Sequence, residues 1–344
     1  MPTDTAPSCE PGSDRLPAAP DAFARGVLDA LASHMAVVDA AGTIITVNQA
    51  WRDYAARNGG DPDKVSEGSN YLRVCDPADG DGVEYARSMA AGLRAVLAGE
   101  QAEFAMEYPC ACYDGMRWFM ARVTPCHEAT GAQAVINHEN ITERKKLENR
   151  LKRQAYFDQL TGLPNRSLIT HRLREAESRC QQEPGRRFAL LFLDFDGFKR
   201  VNDTMGHDVG DALLCAIAQR IRQTLGVSDD VSSDADDDAT EAGVQDGPLA
   251  ARLGGDEFVV LLDGVTDETE AERVADELLA SMQSPFDAAG FRVNATASIG
   301  LALGAAGSQA ADRLLSDADL AMYQAKQHGK NQFTRFEPDM RASA

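Results

Sequence analysis

The stretch Leu249-Ala250-Ala251-Arg252-Leu253-Gly254-Gly255-Asp256-Glu257-Phe258-Val259-Val260-Leu261-Leu262 decides how this chain is read. Two apolar runs flank Gly254-Gly255, which predicts two strands joined by a tight turn, a β-hairpin. Its tip carries two carboxylates beside two residues without a Cβ, so a large anion-bearing ligand can approach the backbone closely. A metal site and an ordinary hairpin turn both fit this stretch taken alone. A second acidic strand end decides between them. Phe188 to Phe195 reads as a buried strand that ends in Asp194-Phe195-Asp196. Hard oxygen ligands at the ends of neighbouring strands are how Mg²⁺ is held beside a phosphate, because the ion keeps several waters and takes few protein carboxylates. Two convergent acidic strand ends point to phosphoryl transfer.

Downstream, Gly197-Phe198-Lys199-Arg200-Val201-Asn202-Asp203 predicts a short turn or helix N-terminus whose N–H groups face phosphates, with Lys199 adding positive charge. Asn202, His207 and Asp211 then offer donors and acceptors to a base edge. Val209, Leu213, Ile217, Ile221 and Leu225 form a helix stripe ended by Gly226. Gly226 to Pro248 holds eight acidic residues and no Lys or Arg, and is expected to be a mobile loop. Upstream, Asn140 to Gln154 has neither Gly nor Pro and is dense in Glu, Lys, Arg and Leu, which predicts one continuous linker helix. Ile141, Leu147, Leu151 and Ala155 give a partial heptad compatible with a parallel coiled coil.

The N-terminal part alternates strands and helices. Ala36 to Asp39 and Thr43 to Val47 predict a hairpin, Gly82 to Leu97 a helix, and Phe104 to Tyr108, Arg117 to Thr124 and Ala132 to His138 three further strands. The expectation is an α+β domain with an antiparallel sheet. Composition bounds the rest. The 344 residues predict two domains, and 54 Asp+Glu against 34 Lys+Arg give a net charge of −20. So acidic a chain gains nothing from counterion release on nucleic acid or an anionic membrane, so neither is expected as a partner. No apolar run approaches a membrane span, and Met1 to Asp21 lacks the marks of a secretory signal. Seven cysteines without a Cys-x-x-Cys pair argue against a disulfide framework and fit a reducing cytoplasm.

The C-terminal motifs together resemble the GGDEF family of diguanylate cyclases over Phe157 to Glu337. They are Asp158-Gln159-Leu160-Thr161-Gly162-Leu163-Pro164-Asn165-Arg166, the run from Leu193 to Asp211, Arg252 to Phe258, Ala297-Ser298-Ile299-Gly300, and Asp317-Ala318-Asp319 with Gly329-Lys330-Asn331. The resemblance implies a central antiparallel sheet flanked by helices, of ferredoxin-like, polymerase-palm type. It implies that Asp194 and Asp256 bind Mg²⁺ (Mn²⁺ as an alternative), with the Phe195 carbonyl and Glu257 at or beside the metal. Asp256 would be the base for the ribose 3′-hydroxyl, and Lys199 would neutralise charge on the phosphates. Asn202 and Asp211 match guanine readers, His207 a nucleotide contact, and Lys326 and Lys330 triphosphate contacts. Where many relatives carry Arg, Lys330 keeps the charge and loses the bidentate fork. Two GTP would condense into cyclic di-GMP and two pyrophosphates, one GTP per domain, so two chains must meet face to face. The positions that carry an Arg-x-x-Asp product-inhibition pair in many relatives are here Gln245-Asp246-Gly247-Pro248, which predicts weak or no feedback.

The N-terminal part resembles a PAS domain, through Val37-Val38-Asp39, Gly42-Thr43-Ile44, Val47-Asn48-Gln49-Ala50, Arg117-Trp118-Phe119 and the exit Asn140-Ile141-Thr142-Glu143-Arg144-Lys145. Its ligand is not named by the sequence. Trp51, Tyr71, Trp118 and Phe119 either line a ligand pocket or pack a core, and Cys75, Cys110, Cys112 and Cys126 are either small apolar residues or a thiol or metal site. The resulting plan is a disordered tail over 1–21, a PAS-like sensor over 22–140, a signalling helix over 141–156, a GGDEF domain over 157–338 and a tail over 339–344. The chain end is expected to leave no room for a phosphodiesterase domain. A catalytically silent GTP-binding regulator and a PAS-driven dimerisation scaffold are the alternatives. A cyclase using ATP fits less well, because Asp211 suits the guanine edge.

Overall fold

The computed structural model describes residues 20–61, 65–76, 82–128, 131–183, 185–227, 247–305 and 311–342. The chain divides between Glu148 and Asn149 into two compact units. Most of the expected acidic loop, the positions Gln245 and Asp246, and residues 1–19 lie outside the described residues.

The first unit runs α1 (Pro20–Ala30), β1 (His34–Asp39), β2 (Ile44–Val47), α2 (Gln49–Arg57), α3 (Tyr71–Cys75), α4 (Val83–Leu97), β3 (Phe104–Cys112), β4 (Gly115–Glu128) and β5 (Gly131–Asn140). Its five strands form an antiparallel sheet in the order β2-β1-β5-β4-β3. Asp39 closes the first hairpin by accepting from the backbone N–H of Ala41 and Thr43 at 2.9 and 2.8 Å. Asn48 caps α2 by accepting from Trp51 N and also from Met35 N, while its amide donates to Leu28, Leu31 and Ser33 carbonyls. Met89, Leu93 and Val96 of α4 pack on Ala121, Val123, Ala134 and Ile136 of the sheet. Glycine is needed at position 92 within α4 because a Cβ there would meet the Phe104 ring at 2.3 Å.

Of the two alternatives for the four aromatic residues, a pocket lined by all of them is ruled out by strand geometry. Trp118 and Phe119 are consecutive on β4 and therefore face opposite sides of the sheet, so they cannot line one pocket. Phe119 is buried, whereas Trp118 lies under the Lys145 ammonium, 5.0 Å from the ring centre. The four cysteines do not form one cluster either. Cys110 pairs with Arg117 near one end of β4, and Cys126 lies nine residues farther along that strand, about 30 Å away at ~3.3 Å per residue.

Helix α5 (Thr142–Tyr156) spans the division between the units. The second unit continues with α6 (Arg166–Gln182), β6 (Arg187–Asp196), α7 (Phe198–Met205), α8 (His207–Leu225), β7 (Leu249–Gly254), β8 (Glu257–Val265), α9 (Glu268–Met282), β9 (Phe286–Ala288), β10 (Phe291–Val293), β11 (Thr296–Ala305), α10 (Ala311–Gln327) and β12 (Phe333–Arg335). The main sheet has the order β12-β11-β6-β8-β7. Four strands are antiparallel neighbours, as in the antiparallel sheet of the ferredoxin-like reading, and β12 departs from it by lying parallel to β11. Strand β6 is buried on both faces. Ala189, Leu191, Leu193 and Phe195 enter one core with α8 and α9, while Phe188, Leu190 and Phe192 enter another with α6 and α10. At roughly 1.5–3 kcal/mol per buried large apolar side chain, this strand is the stable axis of the unit. The expected C-terminal tail is docked as far as it is described: a 3-10 turn (Pro338–Ala342) places Arg341 on Asp317, with its Nε 2.8 Å from Oδ1.

Candidate active site

A strand enclosed on both faces can offer chemistry only at its ends, and β6 ends in Asp194-Phe195-Asp196. Phe195 turns into the core, edge-on to Phe258 with ring centres 5.6 Å apart, so only its backbone carbonyl is left to serve a ligand. Asp194 is half-buried and stands in register with Glu257 of β8 on one side and Ser298 of β11 on the other. The register thus brings the tip of the Gly-Gly hairpin to the acidic end of β6. Gly254 at φ 149° and Gly255 at φ 54° take backbone conformations that side-chain-bearing residues disfavour, which is how the turn presents Asp256 and Glu257 there.

Burial pushes the Asp194 carboxyl above its ordinary value. Lys326 opposes this and the negative charges of Asp256 and Asp196 reinforce it. Lys326, in the last turn of α10, holds Asp194 Oδ1 at 2.6 Å. The sequence reading placed this lysine among triphosphate contacts; the structure shows it paired to a carboxylate of the same cluster. Asp196 is engaged differently. It accepts from Thr296 Oγ1 at 2.8 Å, Ser298 Oγ at 3.0 Å and Asn331 N at 3.4 Å, which ties β6 to β11 and to the left-handed Lys330-Asn331 turn.

Helix α7 begins after Gly197, at φ 79°, with no side chain capping its first turn and Lys199 exposed within it. Asn202 lies near the end of α7, and its Oδ1 is buried without a hydrogen-bond partner. It sits so close to α8 that a Cβ on Gly210 would lie 1.8 Å from that oxygen. His207 and Asp211 occupy the first turns of α8, exposed, as is Lys330. The structure therefore gathers Asp194, Asp256, Glu257 and Lys326 at one sheet end, and it places Asn202 against the helix that carries Asp211.

Sequence reasoning missed one connection. Arg252 donates from Nε and Nη2 to the Gly255 carbonyl at 3.0 and 2.8 Å, and from Nη1 to Asp158 Oδ1 at 2.9 Å. Asp158 also accepts from Thr161 N and Oγ1 at 2.9 and 2.7 Å. Burial alone would raise the Asp158 carboxyl, but the Thr161 and Arg252 donors outweigh it and hold the group below its usual value. This clamp fixes the hairpin tip. Asp158 opens the Asp158–Arg166 stretch and Arg252 the Arg252–Phe258 stretch, and an acid-base pair flanking two turn segments was the available signal.

Among the described residues no three His, Cys, Asp or Glu side chains are arranged to hold a metal ion. Two carboxylates and a carbonyl, all hard oxygen donors, nonetheless suit an ion that completes its shell with water and phosphate. A cavity of about 300 Å³ lies elsewhere, lined by Leu262, Asp263 and Val265 at the far end of β8 together with Leu225, Pro248 and Arg273.

Comparison with known proteins gives the family. The profile described as "Diguanylate cyclase, GGDEF domain" matches residues 155–238 and 237–332, just over half of the chain. The bifunctional diguanylate cyclase/cyclic di-GMP phosphodiesterase MucR of Pseudomonas aeruginosa is 39% identical over 190 residues, covering 55% of this chain and 25% of MucR. The diguanylate cyclase TpbB of the same species is 41% identical over 199 residues, 58% of this chain and 39% of TpbB. The chain thus spans well under half the length of these relatives. A solved structure of the GGDEF domain of TpbB alone aligns with a TM-score of 0.46 at 36% identity, covering 55% of this chain and 98% of that one. With its profile match running from the end of the linker helix to the start of β12, the chain belongs to the GGDEF diguanylate cyclase domain family.

Proposed function

We propose that this protein is a Mg²⁺-dependent diguanylate cyclase that condenses two GTP into cyclic di-GMP with release of two pyrophosphates. The observation that carries the reading is the β6–β8 register, which sets Asp194 opposite Glu257 and brings Asp256 close enough to repel it. Like charges are held together at such cost where a cation is to be bound.

Asp194, Asp256 and the Phe195 carbonyl would hold the ion, with Glu257 beside it. When bound, the ion lowers the pKa of the attacking 3′-hydroxyl and offsets charge at the α-phosphorus. Asp256 would accept the proton of that hydroxyl. The open first turn of α7 directs backbone N–H groups at phosphate oxygens, with Lys199 adding fixed charge, and Lys326 and Lys330 supply the remaining cations. An acceptor-only carboxylate at Asp211 and the unpartnered Asn202 Oδ1 both call for a base edge that donates, as guanine does through N1–H and the N2 amino group.

Because each domain has one such site, catalysis requires two copies face to face, with the linker helix α5 as a further dimer contact. Leu147 and Leu151, exposed one helical turn apart on α5, support that contact. We read the first unit as a PAS-like sensor: the order β2-β1-β5-β4-β3 with α2, α3 and α4 between β2 and β3 supports it. The absence of an Arg-x-x-Asp pair at 245–248 supports weak product feedback. No helix among the described residues is long and apolar enough to cross a membrane, in keeping with a cytoplasmic enzyme.

Incubation of the full chain with GTP and Mg²⁺, and separately with ATP, tests the reading by chromatography of the nucleotides. Cyclic di-GMP from GTP alone is expected. GTP that binds without turning over would instead identify a silent regulator, and failure to bind GTP a scaffold.

A further inference from the structure

Cys110 and Cys112 lie two apart on β3, so their side chains leave the same face of the strand. Both sulfurs converge on one atom: the Tyr54 hydroxyl of α2 stands 3.3 Å from Cys110 Sγ and 3.2 Å from Cys112 Sγ. The same end of the β3–β4 hairpin is tied to α2 a second time, by Tyr113 N donating to Asn58 Oδ1 at 3.1 Å. Both thiols are free and only half-buried, so a small oxidant can reach them. The two Cα atoms are about 6.6 Å apart at ~3.3 Å per strand residue, inside the span of roughly 4.4–6.8 Å that a disulfide bridges. On an extended strand the Cβ atoms are equally far apart, against the roughly 3.5–4.5 Å a disulfide needs, so closure requires this end of β3 to bend.

We propose that Cys110 and Cys112 form a redox-active dithiol that low-molecular-weight disulfides close to a reversible intramolecular disulfide. The span decides what kind of bond it is. Near the limit of reach, closure pulls the strand backbone inward, and a bond made under strain is easily reduced. The pair is therefore a switch and not a staple. In the first exchange one thiolate attacks a sulfur of the small disulfide, forming a mixed disulfide and expelling one small thiolate. In the second, the neighbouring thiolate attacks the cysteine sulfur of that mixed disulfide and expels the other. Two protons and two electrons pass from the pair to the small disulfide, which leaves as two molecules of reduced thiol. Burial pushes the Cys110 thiol above its ordinary value, with the Tyr54 hydroxyl opposing and the neighbouring Cys112 reinforcing.

Closure removes both S–H groups beside Tyr54, so its half-buried hydroxyl keeps only weak sulfur acceptors there. The strand that moves also carries Glu107, which holds Lys145 of α5 at 2.7 Å and pairs with Arg144, so the chemistry sits three residues from the tie that anchors the linker helix.

Trypsin isolates the pair, because residues 95–117 contain no internal Lys or Arg and no other cysteine. The full chain is equilibrated with oxidised glutathione, remaining thiols are alkylated, and this peptide is weighed. A peptide two hydrogens lighter, bearing neither alkyl group nor glutathione and regaining two alkyl groups after dithiothreitol, is expected. Cys112→Ser should stop at a single glutathione on Cys110. A parent peptide that carries glutathione, or two alkyl groups, would overturn the proposal, as would a closed bond that excess reduced glutathione fails to reopen.

Discussion

The two five-stranded sheets of this protein handle burial in opposite ways. In the second unit β6 is covered on both faces, and the carboxylates Asp194, Asp256 and Glu257 of the candidate site stand at the sheet end. In the first unit the sheet itself carries polar side chains inward. His138 of β5 is buried with both ring nitrogens engaged, Nδ1 at 2.8 Å from the Tyr108 hydroxyl and Nε2 at 3.2 Å from that of Tyr71. One imidazole thus satisfies two phenols. A doubly covered strand makes a rigid support whose chemistry is confined to its tip, whereas a sheet with a polar interior couples its own packing to protonation and thiol state.

The contrast can be broken most strongly at the strand tip. Asp194→Asn should lower turnover by about 10²–10³-fold, the scale of losing one charge-stabilising group, without lowering the urea midpoint, since it also removes repulsion from Asp256 and Asp196. A fall in stability matching the fall in activity would make Asp194 structural.

Acid should act on the other sheet. Burial lowers the His138 pKa from 6.5 to about 4, so the unfolded chain takes up a proton that the folded chain refuses. Stability from this group is complete above pH 6.5 and is lost as pH falls towards 4, by roughly 3 kcal/mol in all. His34 is lowered to about 4 as well, by burial and then by Arg57 and Arg117, and adds in the same sense. Both tryptophans, Trp51 and Trp118, belong to the first unit, so tryptophan fluorescence in urea at pH 7 and pH 5 reads that unit alone. His138→Gln should weaken the dependence and leave the His34 share; an unchanged midpoint in the parent would contradict the assignment.

A smaller effect separates binding from stability inside the second unit. Gly210→Ala places a Cβ where Asn202 Oδ1 now lies, displacing a flexible side-chain end at little cost to the fold. It should lower kcat/KM for GTP by about tenfold, near 1.4 kcal/mol, through KM. The smallest effect is expected at Glu107, whose carboxylate on Lys145 is partly exposed: Glu107→Ala should lower the first unit's unfolding free energy, read from its urea transition, by ~0.5–1 kcal/mol.

What the sequence discloses follows from how local each signal is. The apolar run of β6, the Gly-Gly hairpin and the α8 stripe are periodic within a few residues, and they fold as expected. The parallel edge strand β12 is three residues long, too short for periodicity to reveal. The Arg252–Asp158 clamp joins residues 94 apart in sequence, and the approach of Asn202 to Gly210 depends on how two helices pack. Lys326 on Asp194 is a third such case, an ion pair made only when α10 lies against the sheet. The chemistry-bearing residues were thus legible as types in order, and their partners were not.

The most direct test compares the parent chain with Asp256→Ala under GTP and Mg²⁺, following cyclic di-GMP by chromatography and GTP binding by titration. Both are expected to bind GTP, and only the parent to form product. Equal product from both, or none from a parent that binds GTP, would contradict this.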